Sequence, residues 1–441
     1  MSATPPTARA EWRTHGLLVL AAFIGFSFHS TVTYSTGLFM QPLSAEFGWD
    51  RALISSGLTI AAIATIPLAP LVGAILDRWG SRRLAIIGLI LTGGAVCAFG
   101  LANGSPVQWL ALWVFYSIVA TGIKSTVWTA AVTNTFAKAR GMALGVTMCG
   151  AAAAQVVCPP LTNWLIDTQG WRMAYVWLGA GWGGAALVMA MLFLFDAHDH
   201  QRREKGSKAE KAAAAAAAAA ALPGLGFREA LRNQAIIRIA LSTLITMFMG
   251  VALIVHMVPL LTEAGLSRTE AAYLTSITGI AGFMGKLFTG WMSDRWNAGL
   301  VGAITLAAPT IGFAMMLEPF RSPTLIVVAM FIIGYSSGAK LQIAGYLTSV
   351  YGGMRNFGKI FGLMGTLIAI GSGVGPWAAG RIYDVAGSYT PFIIAGIPAS
   401  LICGLLIFGL GPYPAWNQLG RSGTAAANAK PGAAPAPRTA G

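Results

Sequence analysis

Lysine is the residue type in this sequence whose placement demands an explanation. Lys340 stands in GYSSGAKLQIAGY (334–346), inside a run from Ser322 to Gly352 with no other charge. Lys124 stands in YSIVATGIKSTVWTAA (116–131), and Lys286 lies in an apolar stretch eight residues before Asp294. An ammonium at the centre of a membrane helix costs about 2.5–3.5 kcal/mol on insertion scales. Such a group is kept where it faces a cavity or a partner. None of the 15 Asp and Glu residues falls in the middle of an apolar run. Buried cations without buried anions make a positive cavity, and a positive cavity selects anions. The substrate then supplies the missing charge.

The helix faces that carry these lysines are polar. Ser117, Thr121 and Trp128 share the face of Lys124, and Ser336 and Ser337 border Lys340, with Gln342 two residues on. Thr275, Thr278 and Thr289 accompany Lys286. Tyr34 and Trp128, with Tyr346, are placed to flank an aromatic substrate, although such residues more often serve packing. His29 and His256 are the remaining titratable groups in the apolar runs and the candidates for carrying a proton. A histidine bonded to a neighbouring hydroxyl accounts for each equally well, and exchange of one anion for another needs no proton carrier. No nucleophile–base pair, cofactor loop or metal spacing is present, so the reading is not an enzyme.

The elements that must hold these residues are membrane helices. The chain has 441 residues, 56% hydrophobic and 10% charged, against about 25% charged in a soluble protein. Continuous apolar runs long enough to cross a bilayer lie near 15–43, 52–76, 84–103, 107–134, 141–165 and 172–195. A second six lie near 235–263, 269–291, 298–318, 322–352, 360–382 and 388–411. The runs do not alternate in polarity, which excludes a membrane barrel. The expected fold is all-α integral membrane, with twelve transmembrane helices in two pseudo-symmetric six-helix halves, 15–195 and 233–411. A tail at 1–14, a linker at 196–232 containing RREKGSKAEKAAAAAAAAAAL, and a tail at 412–441 complete the chain. The linker reads as partly helical and the C-terminal tail as disordered.

Lysine and arginine concentrate in the tails, the linker and the loops at 77–83, 135–140 and 353–359. That bias predicts both termini in the cytoplasm of a multi-pass protein of the cell (inner) membrane. It also accounts for the net charge of +14 without nucleic acid. The cysteines, Cys97, Cys149, Cys158 and Cys403, all fall within spans, so no disulfide framework and no metal site is indicated.

The halves repeat at an offset of 217. Pro42 and Pro259, Glu46 and Glu263, Arg51 and Arg268, Pro159 and Pro376, and Asp167 and Asp384 correspond. So do Asp77-Arg78-Trp79 and Asp294-Arg295-Trp296. Lys124 and Lys340 are 216 apart, in nearly equivalent places. A parallel six-helix repeat puts a binding site near the midplane between the halves. Two lysines facing across a pseudo-twofold favour an anion with two separated charges, a dicarboxylate ahead of a monocarboxylate, with room for an aromatic acid.

GAILDRWGSRR (73–83) resembles the signature loop of the major facilitator superfamily, and GWMSDRW (290–296) its degenerate copy. GLFMQPLSAEFGWDRALISS (37–56) and GKLFTGWMSDR (285–295) resemble the monocarboxylate-porter and oxalate/formate-antiporter branch. The resemblance implies a secondary transporter that imports an organic carboxylate by alternating access, with the proton as coupling ion. It implies gate roles for Asp77, Arg78, Arg82, Arg83, Asp294 and Arg295. It also implies that Lys286 occupies the place of a carboxylate-binding basic residue, as a point charge where that branch usually has the bidentate fork of arginine. Drug antiporters of the superfamily carry a G-P pair in span five, which here is Cys158-Pro159-Pro160, so efflux is the weaker alternative. The expected partners are a small organic anion, the proton and the lipid bilayer. No cofactor is expected, and the expected state is a monomer.

Overall fold

A computed structural model describes residues 8–136, 138–195, 224–318, 320, 322–353 and 355–414, leaving out the side chains of Asp77 and Asp294. The expected linker at 196–223 and tail from 415 lie outside these residues. Among the described residues the chain is almost wholly helical, and ten of its helical stretches are long and apolar enough to cross a membrane; with the longest divided in two and Arg268–Arg295 added, they form twelve helices. The first crossings are α1 (Ala8–Phe47), α2 (Arg51–Trp79), α3 (Ser81–Phe99) and α4 (Pro106–Thr135). The continuous stretch Arg140–Phe193 has 54 residues. As one helix it would be about 80 Å long at 1.5 Å per residue, more than twice the hydrocarbon thickness. It is divided at Gly170, whose φ of 81° belongs to the left-handed region. The two parts are α5 (140–169) and α6 (171–193).

The second six are α7 (Gln234–Glu263), α8 (Arg268–Arg295), α9 (Ala298–Met315), α10 (Pro323–Gly352), α11 (Phe357–Ala386) and α12 (Thr390–Ile407). Helix starts follow the sequence. Ser267 and Glu270 form a reciprocal capping box on α8, and Asn233 and Asn297 cap α7 and α9. Ser105-Pro106 and Ser322-Pro323 place a capping hydroxyl before a proline that has no amide to satisfy. The repeat pair Gly48 and Gly265 turns α1 into α2 and α7 into α8, each with positive φ.

Helix α1 starts at Ala8, inside the stretch expected to be a tail. The reason is Glu11, buried at 5% exposure, whose carboxylate accepts the amides of Lys138 and Ala139 at the start of α5. This is a buried anion, but it lies at the end of the slab and is fully occupied with a helix amino terminus.

The slab is closed on one side and open on the other. The face carrying the start of α1, the end of α12 and the basic loops is here called the basic face. Near it, Gly73 of α2, Gly141 and Gly145 of α5, and Gly358, Gly362 and Gly365 of α11 each have open space where a Cβ would stand. Toward the far face, a Cβ at Gly373 would overlap Ala62, one at Gly375 the Phe248 backbone, and one at Gly380 the Ala52 backbone. The helices therefore converge at the far face and splay at the basic one. Gly338 of α10 lies against the Gly282 backbone of α8, an approach no larger residue permits.

The two kinds of glycine predict different outcomes. Gly338→Val should overpack the α8–α10 contact and cost at least about 1–3 kcal/mol, read as a clear fall in the melting temperature of the detergent-purified protein. Gly365→Val should leave that temperature unchanged yet slow transport in proteoliposomes, because its side chain obstructs closure of the basic face.

Candidate functional site

Helix α4 is broken at the first lysine. Thr121–Ile123 form a single 3₁₀ turn and Lys124 is extended, with φ −66° and ψ 166°, before the helix resumes at Ser125. A break frees carbonyls, and the Trp128 indole donates to one of them, Ile123 O, at 2.7 Å. Trp128 is fully buried, and its ring fills the space above Gly25 of α1. The structure thus places Trp128 in the packing that stabilises the break rather than on a cavity wall. The Lys124 ammonium donates to Thr65 Oγ1 of α2 and lies within electrostatic range of His29. His29 is half-buried beside Phe26, and its Nδ1 has no hydrogen-bond partner among the described residues. Tyr34 is half-buried on α1 within range of Cys158.

Lys340 differs from Lys124 in having no hydrogen-bond partner among the described residues. It lies in the unbroken helix α10, 8% exposed, and its Nζ is buried without a hydrogen-bond partner among the described residues. The ammonium occupies the gap left by Gly250 of α7, where a Cβ would stand 2.6 Å from Nζ. It borders a cavity between α7, α9, α10 and α12, closed toward the other half by Gln155 of α5 and Thr278 of α8. Gln155 Nε2 donates to Thr278 Oγ1 at 3.0 Å, and Thr278 donates to the Thr275 carbonyl at 2.6 Å. Lys286 is half-buried on α8, within electrostatic range of both Lys340 and Cys149. Gln342 is exposed on α10, with its amide lying over Gly290 of α8. The structure therefore groups Lys340, Lys286 and Thr278 in one half, and Lys124, His29 and Thr65 in the other.

The seal at the far face is duplicated. The Asp384 carboxylate of α11 accepts the Arg51 and Ala52 amides at 3.0 and 2.9 Å, capping α2 across the halves. Its repeat equivalent, Asp167 of α5, pairs with Arg268 at the start of α8, the equivalent of Arg51. Asn163 braces this pair by donating to Asp167 at 2.9 Å and to Thr269 at 3.0 Å. Deeper in, Thr59 donates to the Gly373 carbonyl at 2.7 Å and Ser276 to the Val156 carbonyl at 2.6 Å. Donors and acceptors of these two bonds are again 217 apart. The offsets for Arg51/Arg268 and Asp167/Asp384 were legible in the sequence. They identified equivalent positions without revealing that the equivalents meet.

His256 belongs to this seam. It is fully buried, with Nε2 2.8 Å from the Pro376 carbonyl and Nδ1 2.6 Å from the Tyr389 hydroxyl. A carbonyl only accepts, so Nε2 carries the proton, and in the neutral ring Nδ1 accepts from Tyr389. The Pro376 carbonyl also accepts Ser55 Oγ of α2 at 3.2 Å, so the histidine shares an acceptor with the far seal. The loop arginines are elsewhere. Arg82 donates to the Met191 carbonyl at 2.8 Å, Arg295 stacks on Trp291, and Arg78 and Arg83 are exposed at the open basic face.

Twelve helices in two repeats, open on one side and sealed on the other around buried cations, describe an alternating-access carrier. The model of the Major Facilitator Superfamily matches residues 22–350. The chain belongs to that superfamily. Monocarboxylate transporter 13 of Bos taurus is 25% identical to this facilitator over 400 residues, covering 89% of this chain and 88% of that one. A probable sulfoacetate transporter, SauU, of Cupriavidus necator is 25% identical over 415 residues, covering 86% and 89%. In fold, this facilitator is similar to the xylose transporter XylE from E. coli in its inward open conformation. The TM-score is 0.67 at 14% identity, covering 92% of this chain and 98% of that one. The chain is a multi-pass membrane transporter and not an enzyme.

Removing the two far-face carboxylates together, by Asp167→Asn with Asp384→Asn, should shift the resting population toward the state open at the far face. Each charge-assisted bond is worth about 1.5–3 kcal/mol. Alkylation of a cysteine placed at Leu38, a buried residue beside the far-face recess, should accelerate about tenfold, and either single variant should give a smaller change.

Proposed function

We propose that this facilitator imports an organic carboxylate, whose charge neutralises Lys340. The observation that carries this reading is the buried ammonium of Lys340, bordering a cavity whose lining holds no counter-charge among the described residues. A lone buried cation is expensive, and an anionic substrate offsets that cost only while it is bound. Lys286 adds positive potential beside it, and Thr278 and Gln155 offer neutral hydrogen-bonding groups at the cavity edge. The carboxylate carried by the monocarboxylate transporters is in keeping with this arrangement.

A dicarboxylate is the second reading. Lys124 in the opposite half supports it, and so does the relative named for sulfoacetate, an anion with a sulfonate and a carboxylate. The bond from Lys124 to Thr65 makes its charge less in need of a substrate than that of Lys340. Proton coupling is proposed for His29 and His256: the first beside Lys124, the second in the far seam, where protonation would reverse its bond with Tyr389. The basic face is taken as cytoplasmic, which makes this state inward-open. Asp77, Arg78, Arg82, Arg83, Asp294 and Arg295 then act as the gate that closes when the far seal opens.

In proteoliposomes, uptake of a panel of radiolabelled mono- and dicarboxylates should fall at least about tenfold in Lys340→Gln, with a smaller loss in Lys124→Gln. An inside-alkaline gradient should accelerate wild-type uptake several-fold. Unchanged uptake in Lys340→Gln would sink the anion site, and transport of neutral or cationic compounds alone would point to efflux.

A further inference from the structure

We propose that the small cavity beside Lys340 is a site for a monatomic anion of the size of chloride, held between the Lys340 ammonium and the Thr246 hydroxyl until a carboxylate displaces it. The inference shares with the anion reading above the charge on Lys340, and it names what offsets that charge between substrates. Thr246 Oγ1 on α7 is buried and, like Lys340 Nζ, has no hydrogen-bond partner among the described residues. It stands one turn from Gly250, whose missing side chain makes room for Nζ. Thr246 and Lys340 both line the cavity, of about 40 Å³, and both line a smaller space of about 10 Å³ between the same four helices. The Cys403 thiol of α12 lies within range of Thr246, but it donates to the Ser242 carbonyl at 3.7 Å.

The internal repeat shows why this lysine is left unsettled. At the offset of 217, Thr246 corresponds to His29, whose Nδ1 is also buried without a partner and which lies within range of Lys124. Each half therefore sets an unpartnered polar atom of its first helix beside the lysine of its fourth. Thr65, which takes the Lys124 ammonium, corresponds to Gly282, which packs on the Gly338 backbone. The second half lacks the hydroxyl that satisfies the first.

An ammonium only donates and a hydroxyl can donate, so an occupant that accepts from both completes the site. Water would meet those bonds and leave the charge, and a buried charge is costly unless it is paired. No acidic side chain lines either space among the described residues, and Ser336 and Ser337 add neutral hydroxyls. A water takes about 10–15 Å³ on the same measure, so the cavity admits one halide with a water or two. An organic acid can place its carboxylate there, but not its body.

The test is thermal stabilisation of the purified full-length chain, with sodium chloride or bromide replacing sodium HEPES at constant ionic strength. The wild type should show a saturable rise in melting temperature with each halide. Thr246→Val should raise the apparent halide Kd at least about tenfold, the loss of one hydrogen bond to a charged group. Lys340→Gln should abolish the saturable rise, and Lys340→Met replaces it if that variant does not fold. In the wild type, chloride at ten times its Kd should raise the apparent Kd of butyrate or succinate about tenfold by competition. Halide saturation that depends on both residues supports the site whether or not these two acids bind. A rise that is linear in salt, or that persists in Lys340→Gln, is a general salt effect and overturns the site. Saturation unchanged in Thr246→Val overturns it as well, because the ion then lies elsewhere on the lysine. An acid Kd indifferent to chloride overturns the displacement. If butyrate or succinate stabilises the wild type and neither halide does, the halide site falls and the anion reading stands; if no anion of either kind does, both fall.

Discussion

Much of this molecule depends on a lysine side chain held away from water with nothing to bond. An ammonium in a low-dielectric interior is tolerated only if the surroundings either pair it or leave room for something that will. Around Lys340 the second solution is built in detail. Gly250 clears the space at Nζ, and the cavity it borders is lined by apolar side chains together with neutral polar ones such as Thr278 and Gln155. Lys286 lies within electrostatic range of Lys340 in the same half. On the proposed anion reading, a bound carboxylate offsets the like charge of these two ammoniums, so part of its binding energy is available to the conformational change.

The two halves are equivalent in topology and unequal in chemistry. Lys124 and Lys340 are 216 apart where the rest of the repeat keeps 217, and the discrepancy coincides with a difference in backbone. At Lys124 the helix breaks, Trp128 satisfies a freed carbonyl, and Thr65 takes the ammonium. At Lys340 the helix runs through and the ammonium is unpaired. One half therefore holds its charge in an internal bond while the other half exposes its charge to a cavity. On the proposed reading, a substrate between them would meet a committed cation on one side and an uncommitted one on the other.

The crossings were legible because hydropathy alone marks a helix that must satisfy its own backbone in lipid, and the repeat because glycines and charges recur at a fixed offset. The break at Lys124 was not legible. Its signal is Gly122 followed six residues later by Trp128, and neither residue is unusual in a membrane helix. The packing of Trp128 was not legible for the same reason, since an aromatic on the lysine face can line a cavity or plug a gap at Gly25. The buried Glu11 was hidden by its position near the chain start, because a carboxylate that caps a distant helix leaves no local pattern. The open side could not be read at all: one sequence encodes both states, and the loop arginines that mark a gate do not say whether it is shut.

The duplicated far seal gives the exchange between those states its character. Asp384 on the α2 terminus and Asp167 on Arg268 are twofold equivalents, as are the Thr59–Gly373 and Ser276–Val156 bonds. Two matched seams of similar strength resist opening in parallel, so a rotation that loosened one and strained the other would gain little. The cheapest motion opens both at once, a rocking of one half on the other about an axis near the midplane. That motion moves the glycine-lined ends of α2, α5 and α11 together at the basic face, where open space now stands beside Gly73, Gly145 and Gly362. His256 sits where such a motion would be felt, sharing the Pro376 carbonyl with Ser55 of the seam and bonding the Tyr389 hydroxyl. A change in its protonation would alter a seam bond directly, while Lys340 lies apart from the seam, at the cavity of the second half. The seal and the site are thus separate devices, coupled because the same two rigid halves carry both.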